Sequence, residues 1–123
     1  MRFWVGCGLF AFLIPVAAEC ATAANVEAGK IVFVKCALCH TNEPGKNKIG
    51  PSLFGIVGRK SASLPDYNYS EAMKNFHHTW DAKTLDTYLA DPRAVVPGTK
   101  MIFPGIKDET QRENLIAYLE TLK

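Results

Sequence analysis

The clearest hydrophobic pattern of the chain lies at its C-terminal end. Asp108 and Gln111 form a capping box, a pair of polar side chains that can satisfy the free backbone groups at a helix start. A second pattern of helical spacing follows Asn25, a good capping residue, and predicts a helix to about Lys35. The stripe predicted for the C-terminal helix comprises Leu115, Ile116, Tyr118, Leu119 and Leu122. Both segments therefore read as amphipathic helices.

Two further helices are predicted in the middle of the chain. Asn68, followed three residues later by Glu71, resembles a capping box for a short helix that ends near Asn75. Asp81 can cap another helix, which must end near Ala90 because the following Asp precedes a proline. The apolar face of this helix comprises Leu85, Tyr88 and Leu89.

The segments between these helices show no sustained hydrophobic period. From Thr41 to Leu64 the chain is rich in Gly, Pro, Asn and Lys, which is typical of a long loop. A loop of this length is uncommon in a compact domain unless it wraps around something. No alternating strand pattern of any length occurs in the sequence. The pattern therefore predicts an all-α protein of four to five short helices, with long loops wrapped around a central group.

Length and charge narrow the class of protein. A chain of 123 residues forms one domain at most. Its 14 basic and 12 acidic side chains give no electrostatic signature of nucleic-acid binding. The hydrophobic content of 48% is high for so small a soluble protein, and much of this excess lies near the N-terminus.

An apolar run from residue 3 to residue 18 follows Arg2 and precedes a stretch of small residues at 21–24. The run is 16 residues long and contains Pro15, so it is short for a membrane span. A basic residue, a short apolar run and small residues are the parts of a secretory signal peptide.

We predict cleavage after Ala23 or Ala24, which gives a signal peptide at 1–24 and a mature domain at 25–123. An uncleaved anchor is the alternative, whereas lipid attachment at Cys20 is disfavoured because a glutamate directly precedes it. The expected location is the periplasm, with no stable membrane anchor. The mature chain of about a hundred residues is too small to bury a large core unaided.

The stretch Cys36-Ala37-Leu38-Cys39-His40 supplies two thiols and an imidazole at the spacing used for covalent haem attachment. Each thiol can add to one vinyl group of a porphyrin, and the imidazole beside them can ligate the iron. A zinc site would need a second Cys or His pair, and a thioredoxin-like dithiol would need a βαβ pattern. The mature chain has no further cysteine and no βαβ pattern, and its adjacent histidines, His77 and His78, would rarely chelate one metal. One haem c bound through Cys36 and Cys39 is therefore the leading hypothesis; buried structural cysteines are the remaining alternative.

Met101 is the favoured candidate for the sixth ligand of that iron. It lies in the segment 97–105, where two Pro-Gly pairs hold an apolar centre in an extended loop that can present one side chain rigidly. Met73 is more readily explained as a core-filling side chain on a short helix. His77 and His78 lie in a polar turn and are interpreted as surface residues. The lysines are the remaining candidates for the sixth ligand. With His40 and Met101 as ligands, ferrous iron is favoured and no open site remains for O2 binding or turnover.

At this point the chain resembles the class I cytochromes c, in particular the mitochondrial cytochrome c and bacterial cytochrome c2 (c550) branch. The resemblance extends from Gly29 to Leu122. The matching residues are Gly29, Phe33, Cys36-Ala-Leu-Cys39-His40, Gly50-Pro51-Ser52-Leu53, Gly58-Arg59-Lys60, Tyr69, Trp80, Tyr88-Leu89, Pro97-Gly98-Thr99-Lys100-Met101-Ile102-Phe103 and Leu115-Ile-Ala-Tyr118-Leu119. One departure is Met73, which replaces an asparagine that orders a buried water in mitochondrial members.

The resemblance implies roles for the residues around the haem. The carbonyl of Pro51 should accept the ring N–H of His40, and Tyr88 should reach the sulfur of Met101. Arg59, Tyr69 and Trp80 should hold the inner haem propionate, a buried charge that needs donors. Thr99 and Phe103 belong to the same predicted cofactor-binding set. Gly29 and Phe33 should meet Tyr118 where the first and last helices cross.

The function implied is one-electron transfer by a soluble monomer, not enzymatic catalysis. Small haem peroxidases need an open iron, and a haem-free dithiol oxidoreductase is the other rival class. The resemblance places a rim of basic residues around the exposed haem edge, which would steer acidic redox partners. Such partners include a bc1-type complex, a terminal oxidase, a photosynthetic reaction centre or a periplasmic dehydrogenase. The rim residues are Lys35, Lys48, Lys100 and Lys107, with Lys46 and Arg93 nearby.

Overall fold

The computed structural model describes residues 23–123, so the predicted signal peptide at 1–24 lies, apart from its last two residues, outside the described part of the chain. Within residues 23–123 the structure contains helices and no strands, which confirms the all-α prediction. An isolated bridge pairs Lys60 with Thr79. The helices are α1 (Val26–Phe33), α2 (Glu71–Lys74), α3 (Ala82–Ala90), α4 (Pro92–Val95) and α5 (Glu109–Glu120). None of them is long and apolar enough to cross a membrane.

Three helices begin at the predicted capping residues. In α1 the side chain of Asn25 accepts a hydrogen bond from the backbone N–H of Ala28, at 3.1 Å. Asp81 and Asp108 cap α3 and α5 in the same way, through backbone N–H groups at 2.7 and 2.8 Å. Hydrogen bonding to the carboxylate form, first from the backbone of Thr84, lowers the pKa of Asp81. These local signals therefore located the helix starts correctly.

The predicted start of α2 was wrong by two residues. Its N-cap is Ser70, not Asn68, because the hydroxyl of Ser70 accepts from the backbone N–H of Met73 at 3.0 Å. Glu71 becomes the first residue of the helix and pairs with Lys74 at 2.7 Å. The carbonyl of Asn68 instead accepts a bond from Lys100, whose loop approaches from much later in the chain.

Helix α4 was not predicted. The Asp91-Pro92 pair was interpreted only as the end of α3, where the structure does end that helix after Ala90. Proline also suits the first position of a helix, since its fixed φ is helical and its missing N–H is not needed there. The side chain of Asp91 accepts from the backbone N–H of Ala94 at 3.2 Å, so one pair of residues ends α3 and starts α4.

Helices α1 and α5 cross in close contact at Gly29. A Cβ atom added there would lie 1.8 Å from the carbonyl oxygen of Asn114 and 2.9 Å from Cβ of Tyr118. One turn further along α1, the rings of Phe33 and Tyr118 pack with centroids 5.1 Å apart. The predicted meeting of Gly29, Phe33 and Tyr118 is confirmed. In the α5 stripe the first four residues are buried, and Leu122 is half-buried.

The chain continues in helical turns from the end of α1 to His40. The backbone N–H of Cys36 bonds the carbonyl of Phe33 at 2.8 Å, and that of His40 bonds the carbonyl of Cys36 at 2.9 Å. Beyond His40 the loop from Thr41 to Leu64 contains turns but no helix, as predicted. The crossing of α1 and α5 therefore sets the position of the Cys36–His40 segment.

The α1–α5 crossing predicts the effect of one added methyl group. Gly29→Ala should lower the free energy of unfolding by about 1–3 kcal/mol, because the backbone of α5 has to move. Chemical denaturation of the holoprotein measures this, with Lys30→Ala on the exposed side of the same helix as the control. An unchanged denaturation midpoint in Gly29→Ala would contradict the tight crossing.

Candidate functional site

A cavity of about 550 Å³ lies between the helices and the long loops. Its volume falls in the range of cofactor pockets, about 300–1,000 Å³, and its wall is mainly apolar, with leucines from α3 and α5. All the predicted cofactor-binding residues line this one cavity, although they come from segments spread over most of residues 23–123. They are Cys36, Cys39, His40, Pro51, Arg59, Tyr69, Trp80, Tyr88, Thr99, Met101 and Phe103.

The two cysteines lie on the helical turns after α1, with both thiols free. Burial raises the pKa of Cys36 to about 11, so its thiol is protonated at neutral pH. A dithiol oxidoreductase needs the opposite, a thiol whose pKa is lowered so that it reacts as thiolate. Within residues 23–123 there is no group of three or more His, Cys, Asp or Glu side chains that could hold a metal ion. Both cysteines line the cavity, where they are placed for covalent attachment to a bound group.

The imidazole of His40 is held by a hydrogen bond of 2.7 Å between Nδ1 and the carbonyl oxygen of Pro51. A carbonyl only accepts, so Nδ1 carries the proton and Nε2 keeps its lone pair for a metal. Burial lowers the pKa of His40, although the bond to Pro51 acts in the opposite direction. The ring is therefore neutral at pH 7, the form that ligates iron.

The backbone of Gly50 packs against the imidazole of His40. A Cβ atom at Gly50 would lie 2.4 Å from Cε1 and 2.6 Å from Nδ1 of His40, closer than any real side chain can approach. The backbone N–H of Gly50 also donates to the carbonyl of Cys39 at 2.7 Å. The segment 47–52, which we call the proximal strap, therefore packs its backbone directly against the imidazole.

Met101 lines the cavity from the loop between α4 and α5. The hydroxyl of Tyr88 on α3 lies 3.8 Å from the sulfur of Met101, and the backbone N–H of Met101 donates to the Thr99 hydroxyl at 3.2 Å. Burial raises the pKa of Tyr88, which keeps the phenol protonated as a donor. Met73 also lines the cavity, whereas His77 and His78 are exposed and do not.

Arg59, Tyr69 and Trp80 form the polar part of the wall. Two backbone hydrogen bonds hold Arg59 and Trp80 side by side. The N–H of Trp80 donates to the carbonyl of Arg59 at 2.9 Å, and the N–H of Gly58 donates to the carbonyl of Trp80 at 2.8 Å. The guanidinium of Arg59 donates to the carbonyls of Ser52 and Phe54 at 2.8 and 3.2 Å. Burial lowers the pKa of Arg59, but a guanidinium stays charged in proteins. A half-buried cation beside two aromatic donors suits a carboxylate such as a haem propionate.

Sequence reasoning missed Tyr67. This side chain lines the cavity, packs edge-on against Tyr69 with ring centroids 4.8 Å apart, and donates from its hydroxyl to the carbonyl of Ile49 at 2.7 Å. The only signal in the sequence was its position two residues before Tyr69 in a polar loop. Nothing in that pattern indicates a partner 18 residues earlier.

These residues fit a haem attached through two thioethers. The thiols and the imidazole follow one another on consecutive turns, the backbone at Gly50 leaves room for the ring of His40, and the apolar cavity has one polar region for carboxylates. Fold and site together define a small all-α protein of the c-type haem class.

Comparisons with known proteins agree with this class. The family model for cytochrome c matches residues 26–123, so the chain belongs to the cytochrome c family. Cytochrome c2 of Rhodoplanes tepidamans is 52% identical over 96 residues, which are 77% of this chain and 90% of that protein. Cytochrome c-550 of Bradyrhizobium diazoefficiens is 53% identical over 93 residues, 75% of this chain and 68% of that protein.

Among solved structures, cytochrome cH from Methylobacterium extorquens superimposes with a TM-score of 0.76 at 44% sequence identity. The match covers 80% of this chain and 99% of that one. With Cys36 and Cys39 in place, the protein carries one covalently attached haem c.

Gly50 generates a prediction about this site. In Gly50→Ala the new methyl group has to displace either the imidazole or the proximal strap, so the free energy of unfolding of the holoprotein should fall by about 1–3 kcal/mol. Guanidinium denaturation followed by haem absorbance measures this change. Ser63→Ala, at an exposed position of the same long loop, is the control. Equal stability of the two variants would show that the strap does not pack on His40 as described.

Proposed function

We propose that the mature domain, residues 25–123, is a soluble periplasmic one-electron carrier whose haem iron is ligated by His40 and Met101. The observation that carries this proposal is the convergence of both side chains on one cavity, each oriented by its own hydrogen bond. His40 is oriented by the Pro51 carbonyl at 2.7 Å, and the sulfur of Met101 lies 3.8 Å from the hydroxyl of Tyr88. An iron with both axial positions filled has no place for a substrate.

The haem supplies a one-electron couple between ferrous and ferric iron. The residues around the haem would keep the structural rearrangement between these two oxidation states small. The neutral imidazole and the thioether are uncharged ligands in both states, and the buried Tyr88 donor has no need to move. Arg59, with Tyr69 and Trp80 beside it, would neutralise a propionate within the apolar wall, where an unpaired charge is unfavourable. A site that barely rearranges is suited to electron transfer and not to catalysis.

A periplasmic location is supported by the signal-peptide pattern of residues 1–24 and by the likeness to bacterial cytochromes c2. The partners that we propose are acidic redox proteins, such as a bc1-type complex, a terminal oxidase, a reaction centre or a periplasmic dehydrogenase.

The charge distribution of the described surface supports an acidic partner. Lys35, Lys60 and Lys100 line the cavity at its rim, and Lys48 lies beside Cys36–Cys39 because its amine donates to the carbonyl of Ala37 at 2.7 Å. The rim also carries three exposed apolar side chains, Leu38, Ile49 and Ile102. Of the other predicted rim residues, Lys46 pairs with Glu43, and Lys107 donates to the carbonyl of Ala90.

Carboxylates gather elsewhere. A separate groove lies along α3 and α5 and is lined by Asp86, Glu109, Glu113 and Glu120, with Lys83 as its basic member. None of these residues lines the haem cavity. Lysines at the cavity rim and a cluster of carboxylates in this separate groove would together favour encounters in which the cavity faces an acidic partner.

The axial ligation is tested by substitution of the two methionines that line the cavity. The ferric wild-type protein should show the weak sulfur-to-iron charge-transfer band at the near-infrared edge of its spectrum. Met101→Ala should abolish this band, and Met73→Ala should keep it. Loss of the band in Met73→Ala with its survival in Met101→Ala would move the ligand to Met73.

The basic rim is tested by charge reversal. Lys35→Glu combined with Lys100→Glu should slow the second-order reduction by a purified bc1-type complex by about tenfold or more at low ionic strength. The dependence of the rate on salt should also flatten. Lys83→Glu combined with Lys30→Glu is the matched control, because it makes the same change in charge at exposed positions that do not line the cavity. An equal slowing in the control would reject the cavity rim as the docking face.

A further inference from the structure

One tyrosine from the loop before α2 bonds the middle of the proximal strap. Tyr67 lies in the loop that precedes α2, and its hydroxyl donates to the carbonyl of Ile49 at 2.7 Å. Ile49 is the residue before Gly50 and two residues before Pro51. The tyrosine therefore bonds the strap at the point where it begins to pack on His40.

Other bonds also attach the strap to the rest of the protein. The backbone N–H of Gly50 donates to the carbonyl of Cys39 at 2.7 Å, the amine of Lys48 donates to the carbonyl of Ala37 at 2.7 Å, and the guanidinium of Arg59 donates to the carbonyl of Ser52 at 2.8 Å. None of these bonds comes from the loop before α2 or reaches Ile49.

Within the strap, the backbone N–H of Lys48 donates to the carbonyl of Gly50 at 2.9 Å, and that of Ser52 donates to the side chain of Asn47 at 2.9 Å. These bonds shape the strap but do not attach it to the rest of the protein. The side chain of Asn47 also approaches the carbonyl of Asp66, at a longer 3.4 Å. From the loop before α2, the Tyr67 hydroxyl thus makes the shorter contact.

The tyrosine is itself fixed. Its ring packs edge-on against Tyr69, with centroids 4.8 Å apart and planes 70° apart, and the hydroxyl of Tyr69 accepts from the backbone N–H of Leu64 at 3.3 Å. Burial raises the pKa of Tyr67, which is consistent with a protonated hydroxyl that acts as a donor. A rigid aromatic ring with one hydroxyl group can hold a neighbouring backbone segment at a fixed distance.

We infer that Tyr67 is a positioning residue for the proximal ligand: through Ile49 it sets how closely the carbonyl of Pro51 approaches Nδ1–H of His40. The strength of that hydrogen bond controls the basicity of Nε2, and a more basic imidazole stabilises ferric iron relative to ferrous iron. Removing the tyrosine hydroxyl should therefore loosen the strap, weaken the bond to Pro51 and raise the reduction potential. This inference rests on the proposed ligation by His40.

The test uses Tyr67→Phe in the holoprotein. Phenylalanine keeps the ring packed against Tyr69 and removes only the donor, so the variant is expected to fold. In the ferrous form, proton NMR should show the Nδ1–H signal of His40 moved upfield. Its exchange with solvent should be about fivefold to tenfold faster, as expected for the loss of one hydrogen bond. The reduction potential, measured by equilibrium titration, should rise.

Tyr118→Phe is the matched control. The hydroxyl of Tyr118 accepts from the side chain of Asn42 at 3.0 Å, so this variant also loses one tyrosine hydrogen bond to the long loop, but outside the strap. Both variants should lose a similar amount of thermal stability, and only Tyr67→Phe should change the His40 signal and the potential. If the two variants behave alike, Tyr67 only stabilises the fold and the inference is wrong.

The outcome can be separated from failure of the proposed function. If His40 does not ligate the iron, the wild-type protein itself will lack a haem-shifted His40 ring signal. If the ligation is correct but the inference is not, the wild-type signal will be present and Tyr67→Phe will leave it, its exchange rate and the potential unchanged.

Discussion

The fold of this cytochrome depends on an apolar cavity that its own side chains do not fill. A domain of about a hundred residues buries too little surface to tolerate a void of about 550 Å³ at its centre, because each uncovered apolar group loses its contacts with neighbours. The leucines of α3 and α5 that line the cavity can pack against a group placed within it. The haem is therefore part of the hydrophobic core, and covalent attachment through Cys36 and Cys39 prevents that part of the core from dissociating. Structure and electron transfer depend on the same contact.

The proximal side of the cavity is built from backbone more than from side chains. The α1–α5 crossing at Gly29 positions the helical turns that carry Cys36 to His40, and the strap around Gly50 closes on the imidazole from the other direction. Two glycines without space for a methyl group and one proline carbonyl thus determine where His40, the proposed iron ligand, lies. Backbone atoms cannot change rotamer, so this arrangement gives a more rigid ligand than flexible side-chain partners would. Rigidity is what a carrier needs, since reorganisation slows each electron transfer.

Local sequence patterns determined much of the fold. Three capping residues marked true helix starts, and the Asp-Pro pair marked the true end of α3, since capping and proline sterics act over three or four residues. The start of α2 was misjudged because Asn68 and Ser70 are both good caps. The choice between them depended on the backbone conformation of Ser70, and the carbonyl of Asn68 bonds the distant Lys100. Helix α4 was missed because the same Asp-Pro signal serves both as an end and as a start.

For the site, the sequence by itself determined the chemistry, and the tertiary structure decided the geometry. Two thiols and an imidazole within five residues indicate haem attachment, because the covalent chemistry depends on their local spacing and not on distant contacts. The partner of His40 was inferred from resemblance, and the contact of Tyr67 with Ile49 was not foreseen. These groups lie 11 and 18 residues apart along the chain and meet only after the loops fold around the cavity. The hydrophobic periodicity of the sequence does not indicate such contacts, because they depend on the path of the folded backbone and not on neighbouring residues in the sequence.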